Sequence, residues 1–163
     1  MKKFAAVLMI ALASTTAFVG CSGNNNSQVE SSQAVEKEPL ADLLQKMIDE
    51  NLVRMPMEVD ETLAQEAYHI DLNVVDEYAI AQTGITPGPG LIVMVKAKDG
   101  QLEQAKANME ALKQDQIGNA FYPAEQEAAE NAKIIVDGNY VGLFILNSEV
   151  EQTAIDMFEN STK

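Results

Sequence analysis

The stretch KIIVDGNYVGLFIL, residues 133–146, constrains the fold most, because two almost unbroken apolar runs flank Asp137-Gly138-Asn139. Asp, Gly and Asn between β-branched runs supply the residues of a tight turn, so the segment predicts two antiparallel strands. The runs hardly alternate between apolar and polar residues, which predicts that some strands are buried on both sides. A second pair of runs, VVDEYAIAQ and GLIVMVKAK, is separated by TGITPGPG and predicts two further adjacent strands. In that connector Pro87 and Pro89 lack backbone donors while Gly88 and Gly90 permit unusual dihedrals. The connector therefore reads as an elongated hairpin connection that is a poor template for another strand.

Helical periodicity fills the rest. Leu40, Leu43, Leu44, Met47 and Ile48 recur on one face behind Pro39, predicting a helix over 40–52. A short helix over 60–67 is expected with Asp60 as N-cap and Leu63 and Ala67 facing inward. Leu102, Ala105, Met109 and Leu112 form a third stripe that Gly118 and Asn119 can end, and Pro123 can start a fourth helix. Ser148 and Glu151 form an S-x-x-E capping box ahead of Val150, Ala154, Met157 and Phe158, which predicts a last helix. The order α-α-β-β-α-α-β-β-α, without a βαβ glycine fingerprint, predicts an α+β domain of about four mostly antiparallel strands covered by helices on one face. Strand order stays open.

The N-terminus is a different kind of segment. Lys2 and Lys3 precede an apolar core, Phe4–Ala13, too short to span a bilayer, as in a secretory signal. The set Phe18-Val19-Gly20-Cys21 resembles the lipobox of bacterial lipoproteins, which implies cleavage before Cys21 and acylation of its thiol. Two or three acyl chains, such as palmitate, hold a protein stably on a membrane. Residues 22–38, SGNNNSQVESSQAVEKE, carry no apolar periodicity and read as a flexible stalk. The expected organisation is a signal over 1–20, lipidated cysteine and stalk over 21–38, and one domain over 39–163, lipid-anchored on the extracytoplasmic face of the cell membrane.

The chain carries 11 basic and 25 acidic residues, and removal of Lys2 and Lys3 with the signal leaves 9 against 25, a formal charge of −16. Such a domain is repelled by nucleic acid and by anionic membrane surfaces, and the evenly spread carboxylates serve solubility.

Catalytic signatures are sparse. His69, the one histidine, stands near Tyr68 and Asp71 without a nucleophile motif, and is expected to be a surface or packing residue. Neither H-E-x-x-H, a cysteine pair nor a calcium-loop pattern occurs, so no metal or cofactor is expected. Asp60-Glu61 and Asp76-Glu77 are adjacent carboxylates that point to different faces of a helix or strand. Asp71, Glu77 and Asp137 could converge only through the fold, and a pair about 5–10 Å apart in an apolar-walled cleft would suit glycoside hydrolysis.

Tyr68-His69-Ile70-Asp71, Tyr78, Lys96-Ala97-Lys98-Asp99, Phe121-Tyr122-Pro123 and Gly138-Asn139-Tyr140-Val141 resemble a family of small lipoproteins of Gram-positive bacteria carrying a domain of unknown function. The resemblance runs from Leu40 to Phe158 and implies a location, not an activity. The expected role is a non-catalytic interaction module at the cell envelope that binds an envelope or extracellular protein. The alternative is a small-ligand carrier or accessory solute-binding module, with a carboxylate-based hydrolase third. Phe121, Tyr122, Pro87 and Pro89 are the candidate interaction surface, although a domain with few aromatics is expected to pack Phe121 and Tyr122 onto its sheet.

Overall fold

The computed structural model describes residues 36–161. Its elements are α1 (Leu40–Asp49), β1 (Pro56–Met57), α2 (Glu61–Ala67), β2 (Val75–Thr83), β3 (Leu91–Ala97), α3 (Leu102–Asn119), α4 (Pro123–Asn131), β4 (Ile134–Asp137), β5 (Tyr140–Ile145) and α5 (Ser148–Glu159). The strands form one antiparallel sheet in the order β1-β2-β3-β5-β4. The fold is α+β, with five strands where the sequence predicts about four. The additional strand, β1, pairs Pro56 with Thr83 and Met57 with Gln82. Two residues leave no periodic signal, and proline is tolerated there because β1 is an edge.

Helices cover both faces of the sheet, not one. On one face Ala64 of α2, Ala105, Met109 and Leu112 of α3 and Ala129 of α4 meet Leu91, Val93, Val95, Val141, Leu143 and Ile145. On the other, Leu40, Leu43 and Met47 of α1 and Ala154, Ile155 and Phe158 of α5 meet Ala79, Ala81, Ile92, Met94, Tyr140 and Phe144. The near-continuous apolar runs of β3 and β5 already require two covers, since successive side chains of a strand point to opposite faces. In β2 the register shifts between Val75 and Glu77. That irregularity moves Val75 to the α3 face while Ala79 and Ala81, also at odd positions, face α1.

Small residues let the second layer approach closely. A Cβ on Gly142 would lie 2.7 Å from Phe144 Cε2 and 3.4 Å from Phe158 Cζ, whose rings pack edge to face with centroids 5.6 Å apart. Glycine is needed here for space, not for its dihedrals.

Local signals fix most boundaries. Asp60 accepts a hydrogen bond from the Leu63 N–H at 2.8 Å and caps α2. Ala64 and Tyr68 are buried there, while Ala67, expected to face inward, is exposed. The first helix ends three residues before the expected Leu52. Asn51 takes a left-handed φ of 59°, and the N–H groups of Asn51 and Leu52 return to the carbonyls of Ile48 at 2.8 Å and Met47 at 3.0 Å. This is a helix-ending motif in which Asn replaces the usual Gly. The expected capping box of α5 does not form. Ser148 is already the first helical residue, and Asn147 occupies the cap position without a side-chain bond.

Candidate functional site

The connector between β2 and β3, residues 84–90, sits at one end of the sheet and organises the clefts there. Thr83 fixes its base, donating its hydroxyl to the Arg54 carbonyl at 2.7 Å and accepting from the Ile85 N–H at 3.2 Å. The Thr83 N–H donates to the Gly90 carbonyl at 2.6 Å, and a Cβ on Gly90 would lie 2.6 Å from that of Thr83. Glycine at 90 thus allows the two chains to close. At the tip, Gly88 with φ 145° donates its N–H to Glu125 Oε1 at 3.1 Å, while Glu125 Oε2 accepts from the Tyr122 N–H at 3.4 Å. One carboxylate of α4 therefore links the proline connector to the turn between α3 and α4.

That linkage brings Pro87 and Pro89 to the same end of the molecule as Phe121 and Tyr122. Contrary to the packing expectation, Phe121 is 85% exposed and Tyr122 is exposed as well. Their rings pack on each other, edge to face at 5.1 Å, instead of on the sheet. The cause is the turn itself: Pro123 opens α4, and its neighbours are held outside the layer by the Glu125 bond. On the opposite side of the connector, Met55 is 73% exposed and Met57 is exposed too. The Met55 carbonyl accepts from the Gly84 N–H at 2.9 Å. Edge strand β1 and the residue before it thus present two methionines to solvent.

Two open clefts flank the connector. One, about 150 Å³, lies on the α3–α4 side between Gln82, Gln116, Asn119 and Glu125. The other, about 500 Å³, lies on the α1–α5 side and is lined by Leu52, Ile85, Pro87, Val150, Arg54 and Glu149 among others.

The other charged groups singled out from the sequence hold the fold together. The Asp71 carboxylate accepts from the N–H and the side-chain amide of Asn73, at 2.8 and 2.9 Å. Glu77 accepts the N–H of Leu40 at the start of α1, and Asp137 pairs with Lys37. His69 takes a left-handed φ of 55° after α2, and its Nε2 lies 2.8 Å from Asp115 of α3. Among the described residues no group of three or more His, Cys, Asp and Glu side chains is placed to hold a metal ion.

Lys37 is the group that sequence reasoning missed. Its composition places it in the stalk, yet its side chain is fully buried. The ammonium pairs with Asp137, donates to the Phe158 carbonyl at 2.6 Å and lies 4.8 Å from the Phe158 ring centroid. Glu38 N–H donates to the Ser161 carbonyl at 3.0 Å, so both ends of the domain are tied together at this point. A lone lysine among polar residues carries no periodic signal that would mark it as buried.

Two groups titrate away from their ordinary values. Burial pushes the Tyr68 phenol up. Hydrogen bonding to Tyr140, its cross-strand neighbour, raises the Lys96 ammonium against a smaller opposing effect of burial.

The signal and Cys21 lie outside the described residues, and among the described ones no helix is long and apolar enough to cross a membrane. No curated protein and no solved structure matches the chain. Residues 49–146, from the end of α1 through β5, match the model of a family described as Domain of unknown function (DUF4358), and the chain belongs to that family.

Proposed function

We propose that the protein is a membrane-tethered, extracytoplasmic lipoprotein whose domain works by binding an envelope or extracellular protein through the end bearing the proline connector. The observation that carries this reading is the placement of four of the six large apolar side chains exposed among the described residues, Leu72 and Val136 being the other two. Met55 and Met57 flank the connector on one side and Phe121 and Tyr122 on the other, while both faces of the sheet are filled by buried residues. Exposed aromatic and methionine side chains grouped around the connector suit a protein contact, because the rings offer apolar area with few rotatable bonds and the methionines adapt their shape to a partner. The lipobox-like set ending at Cys21 supports the tether.

The test is site-specific photocrosslinking in cells, with the reactive group at Phe121 or Met55 and, as control, at Gln104 on α3. A discrete adduct from the connector end and none from the control supports the reading. Equal or absent crosslinking at both places overturns it. Separately, Cys21→Ser is expected to release the folded chain from the membrane fraction, and retention there would refute the tether.

A small-ligand role has one observation in its favour, the 500 Å³ cleft beside the connector, which falls within the size range of small-molecule sites.

A further inference from the structure

Arg54 is the only arginine of the chain, in a sequence with 25 acidic residues. Its guanidinium nevertheless makes no ion pair or side-chain hydrogen bond with any described residue, although most of the lysines are engaged. Its backbone is held firmly, since the Arg54 carbonyl accepts the Thr83 hydroxyl. It lines the 500 Å³ cleft, and so does Glu149 at the start of α5, whose carboxylate likewise makes no ion pair or hydrogen bond with any described residue. Two opposite charges thus share one cleft without pairing with each other, so their charged atoms are separated by more than 4.0 Å. The same cleft has apolar walls that include Leu52, Ile85, Pro87 and Val150.

A simple anion would meet Arg54 but be repelled by Glu149, and a simple cation would meet the reverse. A ligand carrying both charges, separated by an apolar body, satisfies both and gains from the walls. Arginine suits the carboxylate because its planar donors can bond both oxygens at once.

We infer that this cleft binds a small zwitterion of dipeptide size, its carboxylate on Arg54, its ammonium on Glu149 and its apolar side chain against Ile85 and Val150. The inference rests on the reading of this end of the domain as a binding surface, and it adds a ligand that the apolar contact does not require.

The test uses the purified chain with methyl labels, titrated at millimolar concentration with Ala-Leu, N-acetyl-Ala-Leu, Ala-Leu amide and inorganic phosphate. Ala-Leu is expected to shift the methyl resonances of Ile85 and Val150. Acetylation and amidation should each weaken binding roughly tenfold, the loss of one charge-assisted hydrogen-bonded contact. Arg54→Gln should erase the penalty for amidation and keep that for acetylation, and Glu149→Gln should do the converse. Both side chains are exposed at the cleft, and the unchanged methyl spectrum of each free variant checks that it folds. No shift with Ala-Leu, equal binding of free and blocked peptides, or an equal response to phosphate would each overturn the inference. Crosslinking from Phe121 would proceed in any of those cases if the protein-contact reading holds, so the two fail separately.

Discussion

The buried lysine gives the sharpest energetic prediction, because its two kinds of partner can be removed one at a time. Asp137→Asn takes the countercharge away from the Lys37 ammonium and leaves it neutral neighbours, the new amide oxygen, the Phe158 carbonyl and the faces of Phe158 and Tyr140. Removing one partner of a buried pair costs about 3–5 kcal/mol, since an uncompensated charge stays behind. The Asp137 side chain is 27% exposed, so water replaces part of what is lost and the lower end, about 3 kcal/mol, applies. Lys37→Met removes the charge and keeps most of the stem. Asp137 then turns to solvent, and the Phe158 carbonyl keeps its bond from the Ser161 hydroxyl at 2.8 Å. The expected cost is about 1.5–2 kcal/mol, the lower end for a charge-assisted hydrogen bond, because the freed carboxylate regains water. The double variant should be no worse than Lys37→Met alone, because the neutral Asn faces no unpaired ammonium. Urea unfolding measures all three, since a change of this size is a large fraction of a net stability of about 5–15 kcal/mol. Lys37→Met costing as much as Asp137→Asn, or a double variant equal to their sum, would refute the account of a desolvated charge.

Gly142→Ala should destabilise by about 1–3 kcal/mol, because the new methyl overlaps the Phe144 ring in a filled layer, and a thermal midpoint unchanged from the parent would contradict that packing. The raised phenol of Tyr68 contributes stability that is fully present below the unfolded value of 10.0 and is lost as pH rises through the folded value; Tyr68→Phe should therefore flatten part of the fall in stability above pH 10, as followed by urea midpoints. The segment 49–146 alone lacks α1 and α5 and should show no cooperative unfolding transition. Leu40, Leu43, Met47 and Phe158 each contribute about 1.5–3 kcal/mol by burial, together comparable with the whole net stability. A sharp calorimetric transition from that segment would overturn this.

Periodicity and turn chemistry made most elements legible without coordinates. The five helices, the two hairpins, the Asp60 cap, the α3 stripe and the start of α4 at Pro123 are all local properties, decided by residues within one or two turns of each other. What touched two distant segments was not legible. Strand β1 exists only because residues 56–57 meet the end of β2, and the second helical cover follows from where α1 and α5 return across the sheet. The candidate surface divides in the same way. Proline and aromatic residues mark positions 87, 89, 121 and 122 in the sequence, but the Glu125 bonds to Gly88 and Tyr122 that hold them at one end span up to 37 residues. Lys37 is the extreme case. The sequence by itself determines a charged residue in a polar run, whereas its burial depends on Asp137 and Phe158, 100 and 121 residues away, which only the closed tertiary structure brings around it. A charge leaves water only when its partners are assembled in three dimensions, and no local pattern records that assembly.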